Sequence, residues 1–167
     1  MTFYSSITAN KIKTGALFIL FPLIIAWIVF AISDTVDPAS STTIFVISLI
    51  FSVSYGLVTY FSGDKIALAM NGAVPLDQKK YRDVYNTVEN LTVTAGLPKT
   101  PKLYLINDES INAFATGRNP QNSSVALTLG AVTKLNKAEL EGVIAHELSH
   151  VKNYDILLAS IVAVLVG

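Results

Sequence analysis

From Thr14 to Gly63 the chain carries only two charged side chains, Asp34 and Asp37, and these stand close together. On either side lies an apolar run, Gly15 to Ile32 and then Thr42 to Phe61, of 18 and 20 residues. At 1.5 Å rise per residue, about 20 helical residues cross a hydrocarbon core roughly 30 Å thick. Two transmembrane helices are therefore expected. A cleaved leader is the rival for the first run, but its apolar part is usually about 7–15 residues and ends at a small-residue cleavage site. The first run is longer, and no such site stands out before Asp34. Two buried helices of a soluble protein would still need a polar face, which so few charges cannot supply. The composition agrees: 14% of residues are charged, against about 25% in soluble domains.

The loops between the runs set an orientation. Lys11 and Lys13 precede the first run, and Lys65, Lys79, Lys80 and Arg82 follow the second. The Ser33–Ser41 loop has two Asp and neither Lys nor Arg. Lys and Arg favour the cytoplasmic side, so both ends are expected there and the Asp34/Asp37 loop outside. Over the whole chain 12 basic residues balance 12 acidic ones, which gives no attraction for a polyanion and argues against a nucleic-acid partner. Cysteine is absent, excluding disulfides, thiolate metal sites and a cysteine nucleophile.

The chain thus divides into a membrane hairpin (1–61), a hydrophilic domain (62–155) and a third apolar stretch (156–167). In the hydrophilic part, Asp64 is a candidate helix N-cap, with helix continuing to Met70. Pro75 to Ala95 reads as an amphipathic helix, with Tyr81, Val84, Tyr85, Val88 and Leu91 on one face and Gly96 and Pro98 as its stop. Lys102–Ile106 and Ile111–Thr116 suggest strands, the second closed by the turn-prone Gly117-Arg118-Asn119-Pro120. In Ser124–Leu129, Val125, Leu127 and Leu129 alternate with small or polar residues, a half-buried strand pattern. A peptide could pair with an exposed strand edge through main-chain hydrogen bonds. Ser124–Leu129 is the candidate edge, with Asn112–Gly117 beside it or lining the cleft; the alternative is that both strands simply build the sheet. A last helix starts at Asn136, where Glu139 three residues on suggests a capping box.

That last helix carries the chemistry, in His146-Glu147-Leu148-Ser149-His150. Residues four apart share a helix face, so both imidazoles can point at one ion. Neutral imidazole is a good zinc ligand, and one helix holds two of them without ordering a loop. Glu147, beside the first ligand, is placed to take a proton from water activated by the metal. This HExxH spacing is the pattern of zinc peptidases. The chain has two histidines, and both lie in the motif, which weighs against a chance pair. Val143, Ile144, Ala145 and Leu148 mark the helix as partly buried, where unpartnered histidines would be costly.

The sequence resembles the HtpX family, membrane-integrated zinc metallopeptidases related to the CAAX prenyl proteases. The likeness runs through Asn10-Lys11, Ser62-Gly63-Asp64-Lys65 and Ala95-Gly96-Leu97-Pro98. Its most specific parts are Asn112-Ala113-Phe114-Ala115-Thr116-Gly117-Arg118-Asn119-Pro120 and His146 to Asn153. The resemblance implies an α+β membrane protein: two transmembrane helices, then a small zincin-like domain of helices and a short β-sheet, ending in the HExxH helix. It implies one zinc ion per chain held by His146 and His150, with Glu147 as the catalytic base. It also implies an ATP-independent endopeptidase of the bacterial inner membrane, cutting damaged or misfolded membrane proteins at the cytoplasmic face. The implied partners are membrane-protein or peptide substrates and the lipid bilayer.

One feature departs from the family pattern. The third zinc ligand of the family, a Glu, lies beyond further apolar segments, whereas no acidic residue follows Asp155 here. The stretch from Ile156 to Gly167 is 12 residues, too short to span. The chain is accordingly expected to be the N-terminal part of such an enzyme, with its third ligand downstream of residue 167. Asp155, five residues beyond His150, sits off the ligand face and suits a helix-surface carboxylate, or one supporting a ligand from behind, better than a substitute ligand. The alternatives are a catalytically inactive membrane protein of binding or regulatory role that keeps the scaffold, and a structural membrane protein with a chance motif.

Overall fold

The structure is a computed structural model that describes residues 3–166, with side chains described for residues 7–161. Two long helices come first, α1 (Phe3–Val36) and α2 (Ser41–Met70). They run antiparallel, joined by a tight turn in which Ser40 N–H donates to Asp37 O. Edge-on ring pairs Phe18–Tyr60 and Phe30–Phe45, both at 5.7 Å, fix the register. Ile19, Trp27, Ile47, Ile50 and Phe51 are exposed along both helices. Only 11% of an 18-residue apolar window in each helix is buried, so these are not core helices of a soluble protein; their apolar surface needs lipid. They are the two transmembrane helices of an α+β membrane protein. Asp64 does not cap a new helix. Instead α2 continues unbroken to Met70, and its last turns lead directly into the domain.

The domain holds a four-stranded sheet in the order β1-β2-β4-β3, formed by β1 (Val74–Pro75), β2 (Lys102–Ile106), β3 (Ala113–Asn119) and β4 (Asn122–Thr128). β1 pairs antiparallel with β2, β2 parallel with β4, and β4 antiparallel with β3. The helix expected from Pro75 starts later, as α3 (Arg82–Ala95). Val74 and Pro75 instead extend the sheet edge, where proline's missing N–H costs no ladder bond. The Asp77 carboxylate then accepts Lys79 N–H at 2.8 Å and organises the intervening turn. The expected stop is present: Gly96 takes φ +67°, and Gly96 and Leu97 N–H close back onto Val93 O and Thr92 O.

β3 runs further than its sequence suggests, because Gly117-Arg118-Asn119 stays in the strand and the turn falls at Pro120-Gln121. The register slips between Gly117 and Asn119. Gly117 has φ +139°, and a Cβ there would strike the Asn122 carbonyl oxygen, so this bulge requires glycine. The expected edge is also corrected. β4 lies between β2 and β3 and is buried from Ser123 to Thr128, whereas β3 and β1 are the edge strands. Small residues Ser124 and Ala126 let a second layer approach the face opposite Val125 and Leu127. α2 touches β4, while α2 and α6 (Asp155–Val166) cover β3.

A short helix, α4 (Leu129–Lys134), leads into α5 (Lys137–Asn153). The capping box forms as expected: Asn136 Oδ1 accepts Glu139 N–H at 3.0 Å, and Glu139 Oε2 accepts Asn136 N–H at 2.9 Å. α5 packs beside α3. Their core comprises Val84 and Val88 from α3, Leu140, Ile144 and Leu148 from α5, and Leu103, Val125 and Leu127 from the sheet. This packing fixes the rotation of α5 and so decides which way the histidines face.

Candidate active site

Because Ile144 and Leu148 are pinned in the core, the neighbouring positions of α5 turn outward. His146 is exposed, and Glu147 and His150 are half-buried. The Nε2 atoms of His146 and His150 face each other at 3.2 Å, with the rings nearly perpendicular at 88°. Two nitrogens bound at about 2.0–2.1 Å to one tetrahedral ion lie about 3.3 Å apart. The pair therefore has the spacing of two ligands of a single zinc ion.

The other ring nitrogen of His150 is engaged. Nδ1 donates to Asp155 Oδ2 at 2.9 Å, which leaves the Nε2 lone pair turned toward His146. This hydrogen bond raises the imidazole above its usual pKa, with partial burial opposing. Asp155 reaches His150 through a break in the chain. Tyr154 ends α5 in the left-handed region at φ 60°, the only non-glycine positive φ among the described residues. That conformation is uncommon for a bulky side chain. It turns α6 so that its first carboxylate lies behind the histidine rather than beside the metal position. The supporting role expected for Asp155 matches this placement.

Glu147 is held from the opposite side. Its Oε2 accepts the Ala115 N–H of β3 at 2.9 Å. Burial pushes its carboxyl above the ordinary range, against the pull of His150, the Ala115 N–H and His146. The sequence did not disclose this partner, which is 32 residues away. Its only trace was the specificity of the Asn112–Pro120 block. β3 is in turn tied to α6: Thr116 Oγ1 and Ser160 Oγ share a hydrogen bond of 2.7 Å, and Gly117 N–H donates to Ser160 Oγ at 3.2 Å. Among the described residues no third His, Asp or Glu joins the histidines into a metal-holding group.

Comparison with known proteins agrees with this geometry. Residues 78–166 match peptidase family M48, a stretch that contains β3, α5 and Asp155. Over 166 residues the chain is 40% identical to a protease HtpX homologue of Caldanaerobacter subterraneus subsp. tengcongensis, covering 99% of this chain and 54% of that protein. It is 39% identical, with the same coverage, to the homologue of Dictyoglomus turgidum. A homologue from Streptococcus pneumoniae is 39% identical over 164 residues. The chain spans about half the length of these curated relatives. With more than half of its residues matching that family and nearly its entire length similar to HtpX homologues, the chain belongs to peptidase family M48.

Proposed function

We propose that this chain forms the membrane hairpin and metal-binding helix of a zinc endopeptidase that cuts damaged or misfolded membrane proteins at the cytoplasmic face. The observation that carries the reading is the facing pair of Nε2 atoms 3.2 Å apart, flanked by a carboxylate that is not part of the pair. His146 and His150 would hold the ion, and a carboxylate beyond residue 167 would complete the set. The donors suit zinc, which needs three protein ligands and an open position for catalysis. When bound, zinc supplies Lewis-acid polarisation of the scissile carbonyl and lowers the pKa of attacking water.

The chain's own groups do the rest. Glu147 takes the proton of the attacking water on its carboxylate and delivers it to the leaving amine nitrogen. Asp155 keeps the His150 proton on Nδ1.

The test uses the protein with its downstream segment, purified in detergent, and an unfolded membrane protein as substrate. Chelation should abolish cleavage, and stoichiometric zinc should restore it. Cleavage that survives chelation with zinc demonstrably removed would refute the reading.

A further inference from the structure

Where the hairpin meets the domain, a pocket of about 310 Å³ is lined by Lys11, Thr14 and Phe18 of α1, Tyr60 of α2, Arg118 of β3 and Tyr154. Its two cations come from parts of the chain 107 residues apart. Neither has a carboxylate within ion-pair distance among the described residues. Each is instead held by aromatic rings: Lys11 Nζ lies 4.3 Å from the Tyr154 ring centre, and the Arg118 guanidinium 5.1 Å from Phe61 and 5.9 Å from Tyr60. Such rings position a cation without neutralising it. Two uncompensated cations at the mouth of one pocket attract an anion.

The pocket continues toward the bilayer. A groove of about 350 Å³ shares Phe18 and Tyr60 with it and runs on between α1 and α2 over Pro22, Val53, Gly56 and Leu57. Gly56 keeps this groove open, since a Cβ there would already contact the Phe18 ring at 3.5 Å. Cations at the mouth and an apolar channel below match a ligand with an anionic head and an acyl tail. Basic pockets beside membrane helices suit anionic lipid headgroups.

We propose that Lys11 and Arg118 bind the phosphate of one anionic phospholipid, with an acyl chain lying in the groove between α1 and α2. This site is separate from the histidine pair and does not depend on catalysis. Arg118 lies three residues along β3 from Ala115, so an occupied site would also anchor the strand that holds Glu147.

The test is native mass spectrometry of the full chain in detergent, titrated separately with phosphatidylglycerol and phosphatidylcholine. One phosphatidylglycerol should bind per chain in preference to phosphatidylcholine. Lys11→Gln and Arg118→Gln should each weaken it about fivefold, and together about 25-fold. Lys79→Gln with Lys80→Gln, which removes two exposed charges elsewhere, should leave it unchanged. Should Arg118→Gln fail to fold, Lys11→Gln and the groove-filling Gly56→Leu carry the test, since both must weaken binding. Inorganic phosphate at millimolar concentration should compete poorly; competition as strong as that of the lipid would mean a simple anion site and overturn the proposal. Equal binding of the two lipids, or unchanged binding in the variants, would overturn it as well. A native protein that binds neither lipid would equally overturn it, and would leave the groove to another segment of the chain.

Discussion

At the residue scale the site is built from one helix and supported from behind. Asp155 holds His150 by its Nδ1, and such partners of a metal-binding histidine are commonly worth about 10- to 100-fold in metal affinity. Asp155→Ala should therefore weaken zinc binding by about that factor in a competition with a coloured chelator, while His146 and the fold stay in place. Unchanged affinity would show that α5 alone orients the ring. The HExxH motif was fully legible in the sequence because its geometry is local: a four-residue spacing on a helix needs no knowledge of the fold. Asp155 was half legible, since its spacing ruled out the ligand face but gave no hint that Tyr154 would adopt a left-handed conformation. The Ala115 N–H was legible only through the specificity of the Asn112–Pro120 block, because a main-chain donor has no residue type to announce it.

At the element scale the sheet determines what faces the cleft. Local patterns correctly gave α5, its capping box and the glycine stop of α3, each of which depends on neighbours within a turn or two. Strand order depends on contacts far apart in sequence, and there the edge assignment failed. The alternation in Ser124–Leu129 suggested one buried face, yet β4 is covered on both faces and paired on both sides. Ala126 lies beside Tyr104 on β2 and Phe114 on β3. A proline there should therefore prevent folding rather than selectively block cleavage. The informative position is Ala115, whose N–H points away from β4 and onto Glu147. Ala115→Pro removes no ladder bond but frees the carboxylate. A hydrogen bond to a charged group is worth about 1.5–3 kcal/mol, so the fold should lose up to about that much stability, while cleavage per folded molecule falls about 10- to 100-fold. Full activity in that variant would remove β3 from the mechanism.

At the scale of the whole molecule, the membrane hairpin and the peptidase domain are one continuous structure. α2 crosses from apolar to charged sequence without a break, Asn10 Nδ2 donates to Asn153 O at 3.1 Å, and Ser160 of α6 holds β3. Apolar length, like charge asymmetry, is summed over many residues, and the two membrane helices accordingly survived errors at individual boundaries. The same asymmetry predicts that a reporter active only outside the cytoplasmic membrane stays silent when fused after Asn71, and is active when inserted in the Ser33–Ser41 loop. The reverse pattern would invert the proposed topology and move the active site to the other face. The central claim is the division of labour within the motif, and zinc content and cleavage measured on the same preparations test it most directly. In the protein carrying its downstream segment, Glu147→Gln should keep its zinc and lose about 10²–10⁴-fold in cleavage, while His146→Ala and His150→Ala lose zinc and cleavage together. A Glu147→Gln protein that loses its zinc, or a histidine variant that retains both zinc and activity, would contradict the account.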